Sequence, residues 1–164
     1  MAVLKWMLVT ILALAAFAMI AGQMGMLGGS APGDLGVHDG KLKPPSSSPN
    51  SVSSQADLWP GHPRRDDARI APLALIGTPE QTLERLKAVV LATPGARIVE
   101  ARADYIRAEF TTRMMKFTDD AEFWFDPTAR VIQVRSASRL GESDLGVNRE
   151  RVEDIRKRMA SAAP

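Results

Sequence analysis

The chain has 164 residues, a formal net charge of +2 and no cysteine. Its length suits one compact domain with an additional segment. Without cysteine, disulfides, thiolate metal sites and cysteine nucleophiles are excluded, and two histidines are too few for a multi-histidine metal site. The small net charge argues against nucleic-acid binding, which requires a concentrated basic surface. We therefore expect no metal, no cofactor and no nucleic-acid partner.

Residues 1–27 form an apolar N-terminal segment in which Thr10 is the one polar side chain between Trp6 and Ala21. A helix from Trp6 to Leu27 would be about 33 Å long, enough to cross a hydrocarbon core of about 30 Å. The segment lacks the amphipathic pattern that is typical of a core helix. It is therefore predicted to be a transmembrane anchor.

The charges that flank this segment predict its orientation. Lys5 precedes the apolar run, and the first charge after it is Asp34. The positive-inside bias then leaves the N-terminus in the cytoplasm and exports the rest of the chain. We expect a single-pass protein of the inner (cytoplasmic) membrane with its C-terminal domain in the periplasm. The alternative is a signal peptide cleaved after Ala16-Phe17-Ala18, which would release the domain into the periplasm.

Residues 28–66 are rich in glycine, proline and serine, a composition typical of a tether. Apolar side chains such as Leu42 and Trp59 have no role in a fully solvated tether. We therefore expect this tether to be partly packed on the following domain, which is predicted to span residues 67–161.

The predicted domain contains signals for a first helix and a series of strands. Thr78 is a suitable N-cap, Pro79 suits the first helical position, and Gln81 completes a capping box. Thr93-Pro94-Gly95 is predicted to end this helix. Four strand-like runs follow, at Arg97–Ala101, Tyr105–Thr112, Asp119–Phe125 and Val131–Ser138. Their short connections favour an antiparallel meander.

The register of the last hairpin is predicted from its own side chains. Placing Phe125 opposite Ile132 gives a continuous apolar face and puts Glu122 opposite Arg135 on the other face. Asn148 is the predicted N-cap of a second helix. The buried stripe of that helix consists of Val152, Ile155 and Met159. The predicted fold is α+β: an antiparallel four- to five-stranded meander sheet with two helices packed on one face, preceded by the N-terminal transmembrane helix.

Three arginines and an aspartate are the candidate anion-binding residues: Arg135, Arg139, Arg149 and Asp144. Guanidinium groups match carboxylate or phosphate, and a helix N-terminus adds amide donors. We favour the alternative that these arginines pair with acidic side chains of the sheet and loop, among them Asp119, Asp120 and Glu122. Asp119 and Asp120 cannot form a catalytic pair, because adjacent strand residues point to opposite faces.

Several separated motifs resemble the domain of unknown function 1499 family. They are Arg135-Ser-Ala-Ser-Arg139, Ser143-Asp-Leu-Gly-Val-Asn-Arg149, Phe117-Thr-Asp-Asp120 and Leu35-Gly-Val37. The resemblance extends from about Leu35 to Met159. It implies cysteines where this chain has Pro45 and Ser51, and the loss of both is what a dropped disulfide or paired-ligand site would leave. The family has no established activity, so the resemblance implies no mechanism.

The leading functional hypothesis is an uncharacterised membrane-anchored cell-envelope domain that serves as a binding or structural module. The alternative is a hydrolase or transferase acting on an anionic envelope substrate, with an arginine clamp and Asp120 or Asp144 as base. No catalytic residue is predicted. The expected partners are the membrane, through the N-terminal helix, and an anionic small molecule, a lipid or an envelope protein.

Overall fold

The computed structural model describes residues 1–161. Its first element, helix α1 (Ala2–Gln23), carries apolar side chains that are exposed along almost its whole length. This helix is long and apolar enough to cross a membrane, and none of its most apolar 18-residue window is buried against the rest of the chain. An apolar helix that no other element covers is not a core helix, so the sequence-based interpretation of this segment as a candidate membrane span is retained.

The sheet is an antiparallel meander of four strands with two short strands added at one edge. The meander consists of β3 (Ala96–Ala101), β4 (Tyr105–Thr111), β5 (Thr118–Asp126) and β6 (Val131–Ser138). The short strands β1 (Ser51–Ser53) and β2 (Leu73–Ala74) both pair with β6. Strand β1 lies inside the segment that the sequence indicated as a tether, so part of that segment belongs to the sheet.

Helices α3 (Pro79–Leu91) and α4 (Val147–Ser161) pack on one face of the sheet and bury the main hydrophobic core. A short helix α2 (Arg65–Ala68) and a single 3₁₀ turn (Ala56–Leu58) connect β1 to β2. The predicted capping box of α3 is present, with the Thr78 hydroxyl accepting from the Gln81 amide and the Gln81 side chain accepting from the Thr78 amide. The predicted α+β class, with its meander and two helices, is confirmed.

The predicted register of the last hairpin is also confirmed. Phe125 lies opposite Ile132, and Glu122 lies opposite Arg135. Because side chains alternate between the faces of a strand, this register sends the aromatic and β-branched side chains to the helices and the charged ones to the opposite face.

The predicted start of the last helix is wrong. Asn148 is not an N-cap, because the first helical hydrogen bond runs from the Glu150 amide to the Gly146 carbonyl. The Asp144 carboxylate accepts from the amides of Gly146 and Asn148 and so satisfies two of the free donors of this helix end. The Asn148 side chain is fully buried and bonds to the sheet instead.

We expect Gly95→Ala to destabilise the fold by at least about 1–2 kcal/mol, the cost of a left-handed conformation in a residue with a Cβ. Gly95 has φ +78°, and an added Cβ would collide with the Thr111 carbonyl oxygen. Gly33→Ala is the matched control, because a Cβ there meets no heavy atom within 4 Å. Urea unfolding of the full chain in a mild detergent measures both. Equal stabilities for the two variants would contradict this account of the α3–β3 turn.

Candidate functional site

The face of the sheet opposite the helices is polar and is covered by the N-terminal part of the chain. We call the covering residues 36–44 the cover segment. The amide of Gly36 donates to Glu122 of β5, and the carbonyl of Pro44 accepts from Arg135 of β6. Leu42 packs with Tyr105 and Trp124 in a small apolar cluster at the side of these contacts. Residues 36–44 therefore pack along this face.

Glu122 is the centre of the covered face. Its Oε1 accepts hydrogen bonds from the Tyr105 hydroxyl at 2.8 Å and from the Gly36 amide at 2.7 Å. The Nη1 atom of Arg135 lies 3.7 Å from the other oxygen, Oε2, which has no hydrogen-bond partner among the residues the structure describes. Arg135 in turn donates from Nε to the Pro44 carbonyl at 3.2 Å. Three strands and the cover segment thus meet at one carboxylate.

Burial dominates the electrostatics of this cluster. The Glu122 side chain is 0% exposed and the Arg135 side chain 3% exposed. Burial raises the pKa of Glu122, and the Gly36 amide, Arg135 and Tyr105 only partly offset the effect. Burial likewise raises the pKa of Tyr105, to which the charge of Glu122 adds, and it lowers the pKa of Arg135. These groups are removed from solvent, so an anionic ligand cannot reach Arg135 without displacing the cover segment.

Arg139 forms a second, separate cluster on the same face. Its Nε and Nη2 atoms donate to the two oxygens of Asp120 at 2.7 and 2.8 Å, and Nη2 also donates to Glu109 at 2.6 Å. These hydrogen bonds, the one to Asp120 foremost, raise the pKa of Arg139. Nη1 of Arg107 also lies 3.8 Å from Oδ1 of the buried Asp120. The hydrogen bonds described for the Arg139 side chain therefore go to acidic side chains of the same protein.

The other two candidate residues lie away from this face, at the start of α4. Burial opposes ionisation of Asp144, but the amides of Asn148 and Gly146 outweigh it and lower its pKa. Arg149 donates from Nη2 to the carbonyl of Asp67 at 2.7 Å. Asp144 and Arg149 border a shallow cavity of about 150 Å³. The four predicted residues thus divide into two on the covered face and two beside α4.

Asp119 and Asp120 point to opposite faces of β5, as the strand alternation predicts. Asp119 accepts from Arg151 of α4 at 2.5 Å, whereas Asp120 accepts from Arg139. On the helix side, Ser136 donates to Asn148 at 2.5 Å and accepts from Arg151, so its hydroxyl has structural partners. Within residues 1–161 no three His, Cys, Asp or Glu side chains are arranged to hold a metal ion.

Several contacts of the site were not predicted from the sequence. The bond from Tyr105 to Glu122 and the two backbone contacts of the cover segment were missed. The alternation that places Tyr105 and Glu122 on one face of neighbouring strands is a signal that predicts the first of these. The amide of Ser46 donates to the Ser51 hydroxyl at 2.8 Å, so the chain next to Pro45 approaches Ser51 closely. The two positions that the resemblance implies to be cysteines are therefore neighbours in space.

Comparison with known proteins gives one family. A family model described as "Protein of unknown function (DUF1499)" matches residues 41–159, which include the meander, helix α3, all but the last two residues of α4 and the last four residues of the cover segment. Comparisons with curated proteins and with solved structures give no match.

We expect Arg139→Met to destabilise the protein by about 3 kcal/mol or more, because it leaves the carboxylate of Asp120, which is 2% exposed, without its bidentate partner. Arg149→Met is the matched control, since Arg149 contacts only a backbone carbonyl in a solvated setting and should cost less than about 1 kcal/mol. Urea unfolding followed by tryptophan fluorescence measures both. A stable Arg139→Met variant would indicate an arginine held available for a ligand.

The raised pKa of Glu122 predicts a pH dependence. A carboxyl whose folded-state pKa is raised above the ordinary 4.5 contributes stability below that pH and loses it as the pH rises through the folded-state pKa. The unfolding free energy of the wild type minus that of Glu122→Gln should therefore fall as the pH increases from about 4 to 8. Subtracting the two unfolding free energies removes the contributions of the other carboxylates, which both proteins share. A difference that rises with pH would mean that Arg135 holds Glu122 ionised.

Proposed function

The chain belongs to the DUF1499 family of unknown function, and we propose that it acts as a membrane-anchored module of the cell envelope that binds a partner instead of transforming a substrate. The observation that carries this proposal is helix α1. It is apolar, exposed along its length and continuous with the domain that follows. Leaving such a surface in water is costly, and a bilayer removes that cost.

Contacts at the end of α1 support a domain that is held close to the anchor. The side-chain amide of Gln23 donates to the carbonyl of Met114 at 2.6 Å in the β4–β5 loop. A Cβ added to Gly22 would lie 2.6 Å from the carbonyl oxygen of Met115, so the helix backbone approaches the loop as closely as glycine permits. With Lys5 before α1 and Asp34 after it, the proposed arrangement is single-pass, with the domain outside the cytoplasm.

The distribution of the arginines favours a binding or structural role over an enzyme with an arginine clamp. Arg135 and Arg139 are paired with Glu122 and Asp120, and Arg149 is on a different element. A hydrolase or transferase acting on an anionic envelope substrate would need these guanidinium groups to converge on a space that the substrate can enter. Their observed partners support charge networks that hold the sheet, the loop and the cover segment together.

We expect Leu12→Lys to release the chain from the membrane fraction, because a charge near the middle of a span costs about 2.5–3.5 kcal/mol on insertion scales. Leu91→Lys is the matched control, since it introduces the same charge at an exposed leucine of α3 and should leave the chain in the membrane. Fractionation after alkaline carbonate washing measures the share of each variant that stays in the membrane fraction. Equal distribution of the two variants would contradict anchoring by α1.

A reporter enzyme that is active only outside the cytoplasm, fused after Pro164, tests the orientation. We expect it to be active, and an inactive fusion would contradict export of the domain.

The mass of the mature chain tests the signal-peptide alternative, because cleavage after Ala18 would remove the first 18 residues.

A further inference from the structure

Two loops lie side by side at the end of the sheet that contacts α1. We call residues 112–117 and 139–147 together the rim. The amide of Arg139 donates to the carbonyl of Thr118, which brings the second loop next to the end of the first. The chain leaving α1 passes the same place, because a Cβ added to Gly29 would lie 2.9 Å from Cβ of Arg139. The rim is therefore the part of the domain beside the exit of the anchor.

The rim carries most of the large exposed apolar side chains of the domain. Seven large apolar side chains after residue 27 are exposed among the residues that the structure describes, and five of them lie on the rim. These five are Met114, Phe117, Leu140, Leu145 and Val147. Exposed apolar side chains that are scattered singly are ordinary, but a concentration at one end of a domain marks an interaction surface.

Leu145 is the extreme case. Its side chain is 91% exposed, and its φ of +53° places a branched apolar residue in the left-handed region. Asp144 stabilises this conformation by accepting from the amide of Gly146. The loop therefore holds Leu145 outward in a strained backbone conformation, and contact of its side chain with water does not offset that strain.

The geometry of α1 sets the height of the rim relative to a bilayer. A helix of 22 residues is about 33 Å long, which matches a hydrocarbon core of about 30 Å. Its last residue, Gln23, bonds to the carbonyl of Met114 on the rim itself. When α1 spans the bilayer, the β4–β5 loop is consequently at the level of the lipid headgroups.

The charges near the rim suit an anionic headgroup layer. Arg113 and Lys116 lie in the β4–β5 loop on either side of Met114 and Met115. Of the two acidic residues in the other loop, Asp144 is turned inward to the start of α4 and Glu142 accepts from the Ser48 hydroxyl. Between the loops is an open cavity of about 250 Å³ with a largely apolar lining that includes Phe117, Leu140 and Leu145.

We propose that the rim is a lipid-binding surface that inserts Phe117, Leu140 and Leu145 into the headgroup region of an anionic phospholipid bilayer. This inference rests on the proposed anchoring by α1. It adds that the domain lies on the bilayer in a fixed orientation, with Arg113 and Lys116 against lipid phosphates. Lipid is the occupant because the rim is continuous with the membrane span, and because cations beside apolar side chains match phosphates beside acyl chains.

Site-specific fluorescence in vesicles tests the proposal, and the absence of native cysteine makes single-cysteine labelling direct. The full chain, with Phe117→Cys or Leu145→Cys, is labelled with an environment-sensitive fluorophore. It is reconstituted into vesicles of phosphatidylcholine and phosphatidylglycerol that carry a nitroxide near the headgroup. Ala129→Cys is the control, because Ala129 is exposed in the β5–β6 turn at the opposite end of the sheet.

We expect at least several-fold stronger nitroxide quenching at positions 117 and 145 than at position 129. Replacing Arg113 and Lys116 by glutamine should reduce the quenching at position 145, as should omitting phosphatidylglycerol. Equal quenching at all three positions in chains that float with the vesicles would overturn the proposal and leave the anchoring intact. Failure to float would overturn the anchoring and this inference together. Concentration-dependent crosslinking of two chains through Leu145→Cys would also overturn it, by assigning the rim to a second copy.

Discussion

The carboxylate of Glu122 and the guanidinium of Arg135 are both removed from water, and the rest of the covered face is arranged around that constraint. Desolvation of each ion costs several kcal/mol, which a contact at 3.7 Å does not recover by itself. The Tyr105 hydroxyl of β4 compensates in part, and further hydrogen bonds come from outside the meander, through the Gly36 amide and the Pro44 carbonyl. The cover segment therefore contributes hydrogen bonds to the buried pair, although its composition is typical of a linker.

The cover segment also links the sheet to helix α1. The cover segment is fixed at Glu122, and α1 is fixed to the β4–β5 loop through Gln23. Only residues 24–35 connect these two attachments, and Gly29 within them passes against Arg139. Because both ends of this short connection are attached to the domain, the domain has little freedom to turn relative to α1. The orientation of the rim then follows from contacts made on the far side of the sheet from the core.

The sequence predicted the features that arise from side-chain periodicity. The meander, the register that opposes Glu122 to Arg135 and the capping box at Thr78 follow from alternation and from capping chemistry. The features that were missed depend on backbone groups or on distant neighbours. The contacts of the Gly36 amide and the Pro44 carbonyl use backbone groups, so no pattern of side chains predicts them. Asn148 is a residue type typical of a cap, but its side-chain amide donates to the carbonyl of Asn50, just before β1, and to Ser138 of β6, partners that become available only after folding.

The charged residues that stand out in the sequence have structural partners in the fold. Arg135 and Arg139 are prominent in the sequence, yet each contacts one acidic side chain that is more buried than its own, Glu122 and Asp120 respectively. A buried pair of this kind adds little net stability compared with apolar packing, but it is strongly unfavourable when mismatched. It therefore restricts the cover segment to one position on the sheet. In the proposed membrane-bound arrangement, the charged centre fixes the position of the cover segment and thereby the orientation of the apolar rim, which would make the contact with lipid.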